Sequence, residues 1–142
     1  MEGKCFFCDL GQGEITDLIL ENDEFFAVYD AAPANPGHDG HVLVIPKKHV
    51  VSYFDMDPEY RARLYKFEKE VKDIIDKKHN PDGYNIGIND GEQAGQVVAH
   101  LHVNIIPRFK GDGGKAIHSV VYNPPQEEIS VTAERIRAAM QG

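Results

Sequence analysis

The chain has 142 residues, of which 42% are hydrophobic and 27% are charged, as in a globular domain with a sizeable core. Its formal net charge of −8 argues against a nucleic-acid polymer as partner, because such binding depends on neutralising many phosphates. No apolar run reaches the length of a membrane span, and the N-terminus carries no signal-peptide pattern. We therefore expect residues 1–142 to form one cytoplasmic domain that binds neither membrane nor nucleic acid.

Most of the strands are predicted from segments that are rich in β-branched and aromatic residues and are bounded by turn residues. Strands are expected over residues 17–21, 25–30, 41–46, 84–89 and about 96–106. A loop rich in proline and glycine, residues 31–40, precedes the third strand, and Pro107 is expected to end the fifth.

One long helix is predicted between the third and fourth strands. Asp57, Pro58 and Glu59 supply a capping carboxylate, a proline at the first helical position and an acidic first turn. Apolar residues then follow at spacings of three and four, namely Tyr60, Leu64, Phe67, Val71, Ile74 and Ile75. A second helix is expected between residues 126 and 140. Short connections between neighbouring strands, with this one crossover helix, predict an α+β domain built on an antiparallel five-stranded sheet.

The predicted fifth strand carries the residues best suited to chemistry. The period of two in a strand puts His100, His102 and Asn104 on one face, with neighbouring Cβ atoms about 6–7 Å apart. Two imidazoles beside an amide offer a nucleophile, hydrogen-bond donors and a charge that titrates near neutral pH. The alternative is the exposed polar face of an edge strand.

The two cysteines, Cys5 and Cys8, have the C-x-x-C spacing at which two thiolates reach one metal ion. A structural zinc site would need two further ligands, usually histidines. A redox pair would require a thioredoxin-like βαβ unit, which this order of elements does not supply. Buried thiols without a metal are the remaining alternative.

The segment Gly95–Arg108, GQVVAHLHVNIIPR, resembles the signature of the histidine-triad (HIT) family, in which three histidines alternate with apolar residues. Four further segments occur in the order typical of that family: CFFC, AVYD, GHVLVIPKKH and NDGEQAGQ. The resemblance implies an α+β fold and a homodimer in which one sheet extends across the interface. It also implies a purine nucleotide, similar to AMP, as the ligand.

The resemblance also implies a role for individual residues. His102 matches the nucleophile that attacks the α-phosphate and forms a nucleotidyl-histidine intermediate, which water then resolves. Asp30 matches the ribose-binding acid, and Asn89 matches a polar residue near the phosphate. The main-chain amides of Gln96 and Val97 are suited to hold the phosphate oxygens. The base pocket is expected to contain Phe6, Leu10 and Tyr29, although ordinary core packing is the alternative for the first two.

Some HIT proteins bind zinc through a cysteine pair, a histidine after the third strand and the first histidine of the triad. The matching residues are Cys5, Cys8, His49 and His100. In that arrangement zinc would attach the N-terminus to the sheet, and His102 would stay free for chemistry.

Three features depart from the family pattern. Asn104 stands at the place of the third histidine, and an amide cannot carry a proton to the leaving group, a contribution typically worth about 10²–10⁴-fold in rate. A related transferase branch has glutamine there. Val97 replaces a hydroxyl residue. The loop PGHDGHVLV reads as a three-residue insertion, so that His41 rather than His38 leads into the third strand.

These residues predict a nucleotidyl hydrolase, either a nucleoside phosphoramidase or a dinucleoside polyphosphate hydrolase, with activity reduced by Asn104. A nucleotide-binding module with little turnover is one alternative, and a nucleotidyl transferase is another. The last alternative is a zinc hydrolase that uses His100 and His102 as catalytic ligands.

Overall fold

Five strands among the described residues form one antiparallel sheet. The computed structural model describes residues 4–30, 40–121 and 123–141. The strands β1 to β5 are, in chain order, Leu18–Glu21, Phe25–Tyr29, Val42–Pro46, Gly83–Gly87 and Val103–Arg108. Their order across the sheet is β1-β2-β3-β5-β4, and each neighbouring pair is antiparallel. The predicted antiparallel five-stranded sheet is confirmed.

Three α-helices accompany the sheet in the described part of the chain: Phe6–Gln12 (α1), Pro58–His79 (α2) and Ile129–Ala138 (α3). None of them is both long and apolar enough to cross a membrane. Helix α3 is shorter than the predicted 126–140 and buries none of its residues. The predicted loop over 31–40, including His38, lies outside the described residues apart from Gly40.

Helix α2 is the predicted crossover, since it connects β3 to β4 and these strands lie on either side of β5. It begins where the Asp57 carboxylate accepts a hydrogen bond of 2.8 Å from the Tyr60 amide. It ends at His79 and is capped by Asn80, which adopts the left-handed conformation with φ of 47°. The buried stripe of α2 consists of Tyr60, Leu64, Phe67, Val71 and Ile75. It packs on one face of the sheet, and together they form the main core.

Helix α1, which was not predicted, covers part of the opposite face of the sheet. Phe7 packs there with Phe26, Val28 and Ile45 in a second core. Cys5 caps this helix, because its sulfur accepts a hydrogen bond of 3.4 Å from the Cys8 amide. With only 7 residues, the helix is too short for the apolar period of 3.6 to reveal it.

Strand β5 differs from its predicted bounds at both ends. It begins at Val103, so His100 and His102 lie before the strand, not within it. The chain turns tightly there, because the His100 amide donates to the Val98 carbonyl at 2.8 Å. The strand also continues through Pro107. The described pairing of β5 with β3 ends at Ile105, which leaves the proline where β5 has one strand neighbour and its missing N–H is tolerated.

Alternation along β5 still holds and decides which residues face the candidate site. Val103 and Ile105 are buried in the core under α2. Asn104, Ile106 and Arg108 are partly exposed on the opposite face, which we call the site face.

Candidate functional site

Two cysteines and two histidines converge at the first turn of α1. The Nδ1 atom of His100 lies 3.3 Å from the sulfur of Cys5 and 3.5 Å from that of Cys8. The Nδ1 atom of His49, a residue that follows β3, lies 3.2 Å from the Cys8 sulfur. One ligand atom from each of the four residues lies within 4.8 Å of the others. The structure thus brings together all four residues that the sequence singled out for zinc.

The chemistry of this donor set fits zinc. Two sulfurs and two imidazole nitrogens are a common tetrahedral set for a structural zinc ion. The Nε2 atom of buried His100 lies 2.7 Å from the Pro46 carbonyl oxygen, so Nε2 carries the hydrogen and Nδ1 presents its lone pair to the cluster. Burial lowers the pKa of His100, which favours the neutral form that a metal requires. Desolvation, together with Cys5, raises the pKa of Cys8 to about 11.

His102 lies on the site face, between the core residues Leu101 and Val103. Its Nδ1 atom is 3.0 Å from the carbonyl oxygen of His100, and a carbonyl can only accept, so Nδ1 is the protonated nitrogen. The ring of Phe7 packs against the imidazole with centroids 5.2 Å apart. No hydrogen bond to Nε2 of His102 is found within residues 4–30, 40–121 and 123–141, which leaves its lone pair available.

His100 and His102 therefore have different surroundings. His100 is 0% exposed, with one ring nitrogen among the thiols and the other on the Pro46 carbonyl. His102 is partly exposed and is not one of the four clustered ligands.

The side chain of Asn104 is held at both of its polar atoms. Its oxygen lies 3.1 Å from Nε2 of His41, and its nitrogen donates to the Gly87 carbonyl at 3.2 Å. His41 also lies 3.5 Å from the Asp30 carboxylate. The contact between His41 and Asn104 was not predicted, although the position of His41 at the start of a strand was the signal that could have revealed it.

The loop between β4 and β5 is closed by the side chain of Gln96. Its oxygen accepts from the Gly91 amide at 2.8 Å, and its nitrogen donates to the Val51 carbonyl at 2.9 Å. Gly91 and Gly95 have φ of 98° and 94°, values that favour glycine. Val97 is 91% exposed, so this end of the turn lies at the surface. The other predicted phosphate-binding amide, that of Gln96, already donates to the Gly91 carbonyl at 3.1 Å. Asn89, in the same loop, is also exposed.

The three residues expected in a base pocket differ in exposure and in the face of the sheet on which they lie. Phe6 is 63% exposed, so it is not a core residue. Leu10 packs against the second core, beside Val28. Tyr29 follows Val28 by one position in β2, so the alternation of the strand directs it toward the face that α2 covers.

Comparison with known proteins decides the family. The family model described as HIT domain matches residues 12–111. The chain belongs to the HIT family. A HIT-like protein of Methanocaldococcus jannaschii is 37% identical over 125 residues, which cover 88% of this chain and 95% of that protein.

Two other HIT relatives carry the names of enzymes. An adenylylsulfatase of Arabidopsis thaliana is 34% identical over 113 residues, covering 79% of this chain and 56% of that protein. An asymmetrical bis(5'-nucleosyl)-tetraphosphatase of Schizosaccharomyces pombe is 45% identical over 73 residues, covering 51% of this chain and 40% of that protein.

Solved HIT structures share the fold. A HIT family protein from Bacillus subtilis superposes with a TM-score of 0.76 at 28% identity, covering 98% of this chain and 96% of that one. A zinc-bound histidine-triad protein from Mycobacterium smegmatis superposes with a TM-score of 0.67 at 28% identity, covering 95% of this chain and 96% of that one.

Proposed function

We propose that this HIT protein is a hydrolase that cleaves at the α-phosphate of a purine nucleotide through an intermediate on His102. The observation that carries this proposal is the hydrogen bond from Nδ1 of His102 to the His100 carbonyl. It directs the lone pair of Nε2 away from the backbone, and a neutral imidazole is a good nucleophile. The names of two HIT relatives, a tetraphosphatase and an adenylylsulfatase, support cleavage of nucleotides.

The reaction has two displacement steps. The Nε2 lone pair of His102 attacks the α-phosphorus, the bond to the leaving group breaks, and its electron pair departs with that group. Water then attacks the phosphorus of the nucleotidyl-histidine and gives up a proton. The P–Nε2 bond breaks, its electron pair returns to His102, and the nucleoside monophosphate leaves. Splitting one displacement into two lowers each barrier.

The remaining predicted contacts position the nucleotide. The Asp30 carboxylate accepts hydrogen bonds from the ribose hydroxyls, and the main-chain amide of Val97 donates to a phosphate oxygen, since the Gln96 amide is already bonded to the Gly91 carbonyl. Asn89 lies in the same loop. Phe6 and Leu10, both on α1, offer an apolar surface to the purine.

We infer that Cys5, Cys8, His49 and His100 hold a zinc ion. The zinc-bound HIT structure from M. smegmatis supports this inference. When bound, zinc supplies a structural crosslink between α1 and the sheet. Because Phe7 lies between Cys5 and Cys8 in the chain and packs on the ring of His102, the crosslink also keeps Phe7 against the nucleophile.

We further propose a homodimer that extends the sheet at β4. Strand β4 is an edge strand, and edge strands with free hydrogen-bonding groups tend to pair. Beside it, a cavity of about 710 Å³ between β4 and α2 has the apolar side chains Phe54, Tyr65 and Ile86 in its lining. We expect Ile86→Arg to give a monomer in light scattering, whereas Leu18→Arg, on the opposite edge strand, leaves the dimer intact. A monomeric wild type would refute the proposal.

A nucleotide-binding module with little turnover is the second candidate function. Asn104 favours it, because an amide cannot act as a general acid.

Mass spectrometry after brief exposure to an adenylate donor separates the two candidates. The hydrolase predicts an adduct of one AMP on His102 that is absent in His102→Ala and retained in His118→Ala, a surface histidine control. Binding of AMP without any adduct or turnover would establish the binding module and reject the hydrolase.

A further inference from the structure

We propose that a cavity beside Asn104 receives the leaving group, and that Asn104 restricts that group to one joined to phosphorus through an acidic oxygen. This inference rests on the proposed hydrolysis at His102. It concerns the part of the substrate beyond the α-phosphate.

The cavity lies on the site face, between strands β4 and β5 and the residues Ala116–Val120. Its volume is about 550 Å³, within the range typical of small-molecule sites. Asn104 and His41 are part of its lining, and its apolar lining comes from Ile88, Ile106, Ile117 and Val120. Since Asn104 follows His102 by two positions on the same face, the cavity lies next to the proposed nucleophile. Apolar walls suit an organic group better than a bare inorganic ion.

Gly87 connects the cavity wall to Asn104. A Cβ atom at position 87 would lie 2.6 Å from Cδ1 of Ile117, so the side chain of Ile117 packs against the backbone of β4 at Gly87. The carbonyl of the same Gly87 accepts the hydrogen bond from Asn104. Gly87 therefore both contacts Ile117 in the cavity wall and accepts the hydrogen bond that holds the Asn104 amide.

The cation at the far end of the cavity is already engaged. Arg108 donates to the Asp112 carboxylate at 3.3 Å and to the Lys115 carbonyl at 3.1 Å, and it also donates to Asn85. These bonds hold the 109–115 turn. Lys115 also lines the cavity, and its ammonium can bind an anionic oxygen of a ligand. The cavity is therefore suited to a leaving group with one acidic end and an apolar body.

The orientation of the Asn104 amide is fixed. Its oxygen takes the hydrogen on Nε2 of His41, and one N–H is directed to the Gly87 carbonyl. Rotating the amide by half a turn would set two carbonyl oxygens against each other, so this arrangement is strongly preferred. The second N–H of Asn104 is left to donate to an oxygen in the cavity. His41 is thus a positioning residue, since it acts through Asn104.

This fixed donor distinguishes two kinds of leaving group. When a P–O bond to a carboxylate, phosphate or acidic phenol breaks, the electron pair leaves on an oxygen that is stable as an anion and accepts the Asn104 N–H. When a P–N bond breaks, the departing nitrogen must gain a proton, which an amide does not supply. The site therefore favours anhydrides and acidic esters over phosphoramidates.

A matched pair of substrates tests the restriction. We would compare kcat/KM for the para-nitrophenyl ester of AMP with that for the para-nitrobenzyl phosphoramidate of AMP, which have similar aromatic bodies. We expect wild type to prefer the ester by at least about 100-fold, and Asn104→His to reduce that preference at least about tenfold by accelerating the phosphoramidate. Equal acceleration of both substrates, or a wild type that cleaves both equally well, would overturn the proposal.

A second comparison tests the cavity. We expect Ile117→Trp to lower kcat/KM for the para-nitrophenyl ester about tenfold or more, and to lower kcat/KM for adenosine phosphosulfate, which has a small leaving group, much less. Ile129→Trp, at an exposed position of α3, is the matched control and should change neither. An equal loss on both substrates, or no loss on either, would refute the cavity as the binding site. Failure of the hydrolase itself looks different, because it abolishes the His102 adduct and all turnover.

Discussion

The carbonyl of Pro46 and the ring of His100, 54 positions apart in the chain, are joined by a hydrogen bond of 2.7 Å. This contact decides which nitrogen of His100 faces the two cysteines. A hydrogen bond of this kind orients the ligand and strengthens metal binding.

Zinc removal tests the cluster. We expect one equivalent of zinc in the purified protein by metal analysis, and none in Cys5→Ser or Cys8→Ser. A chelator should lower Tm, because zinc at about 100 times its Kd stabilises the fold by about 2.7 kcal/mol. His118→Ala, which alters a histidine outside the cluster, should keep both the metal and the Tm. A metal-free wild type with an unchanged Tm in chelator would contradict the zinc site.

The ribose-binding role proposed for Asp30 predicts a loss of affinity that depends on the ligand. Asp30→Asn should weaken binding of AMP about tenfold, the equivalent of one good hydrogen bond to a charged group. Binding of dideoxyadenosine monophosphate, which lacks both ribose hydroxyls, should hardly change. Calorimetric titration of wild type and variant with both ligands gives the four values needed. An equal loss for the two ligands would instead assign Asp30 to holding His41 in place, 3.5 Å away.

His41 is expected to act through the Asn104 amide. His41→Gln keeps an N–H donor at the end of the side chain, whereas His41→Leu removes the donor from a position that is 5% exposed. We expect the leucine variant to lose kcat toward the para-nitrophenyl ester with little change in KM, and the glutamine variant to retain more of that kcat. Circular dichroism confirms that both variants fold. Equal kcat values for the two folded variants would show that the hydrogen bond to Asn104 does not matter.

Glu68 predicts a pH dependence of stability. It lies on α2 and lines the cavity beside β4, where burial raises its pKa from 4.5 to about 7. A carboxyl whose pKa is raised on folding contributes stability below the unfolded pKa and loses it as the pH rises through the folded value.

Glu68→Gln removes that titration. The variant should therefore be more stable than wild type at pH 8, by at most about 3 kcal/mol, and the advantage should vanish below pH 4.5. Urea unfolding at both pH values and one fixed protein concentration measures the difference. Glu70→Gln, at an exposed position of the same helix, is the control. A constant difference between Glu68→Gln and wild type across this range would contradict the assigned pKa.

The close approach of Ile117 to Gly87 predicts a coupled pair of mutations. Gly87→Ala should destabilise the protein by about 1 kcal/mol, the low end of overpacking costs, because the new methyl group meets only the terminal Cδ1 of the half-exposed Ile117, at 2.6 Å. In the Ile117→Ala background the same change should cost much less. A double-mutant cycle of unfolding free energies gives the coupling directly. Strictly additive effects would show that the two residues do not touch.

The local patterns of the sequence determined much of this fold. Helix α2 was predicted from its cap and its apolar spacing, because both signals arise within a few residues of one another. The strands were predicted with small errors at their ends. The family resemblance implied Cys5, Cys8, His49 and His100 as zinc ligands, and the structure brings these four side chains together.

The sequence pattern failed where a distant part of the chain determines the local conformation. His100 and His102 were expected inside a strand, but the bond from the Leu101 amide to the Val50 carbonyl, 2.6 Å long, holds this segment outside the regular sheet. The short helix α1 forms because Phe7 is buried against the sheet, not because its residues favour a helix.

Tertiary structure alone decided what surrounds Asn104. The sequence identified an amide at a position expected to hold a histidine. Apart from the place of His41 at the start of a strand, it did not indicate that His41 and Gly87 would hold that amide from two sides. These three residues lie on different strands or at their ends, and register and strand order bring them together. A sequence pattern identifies which groups are present, because it depends on neighbours along the chain. Which atoms meet, and which lone pair stays free, depends on packing between segments far apart in sequence.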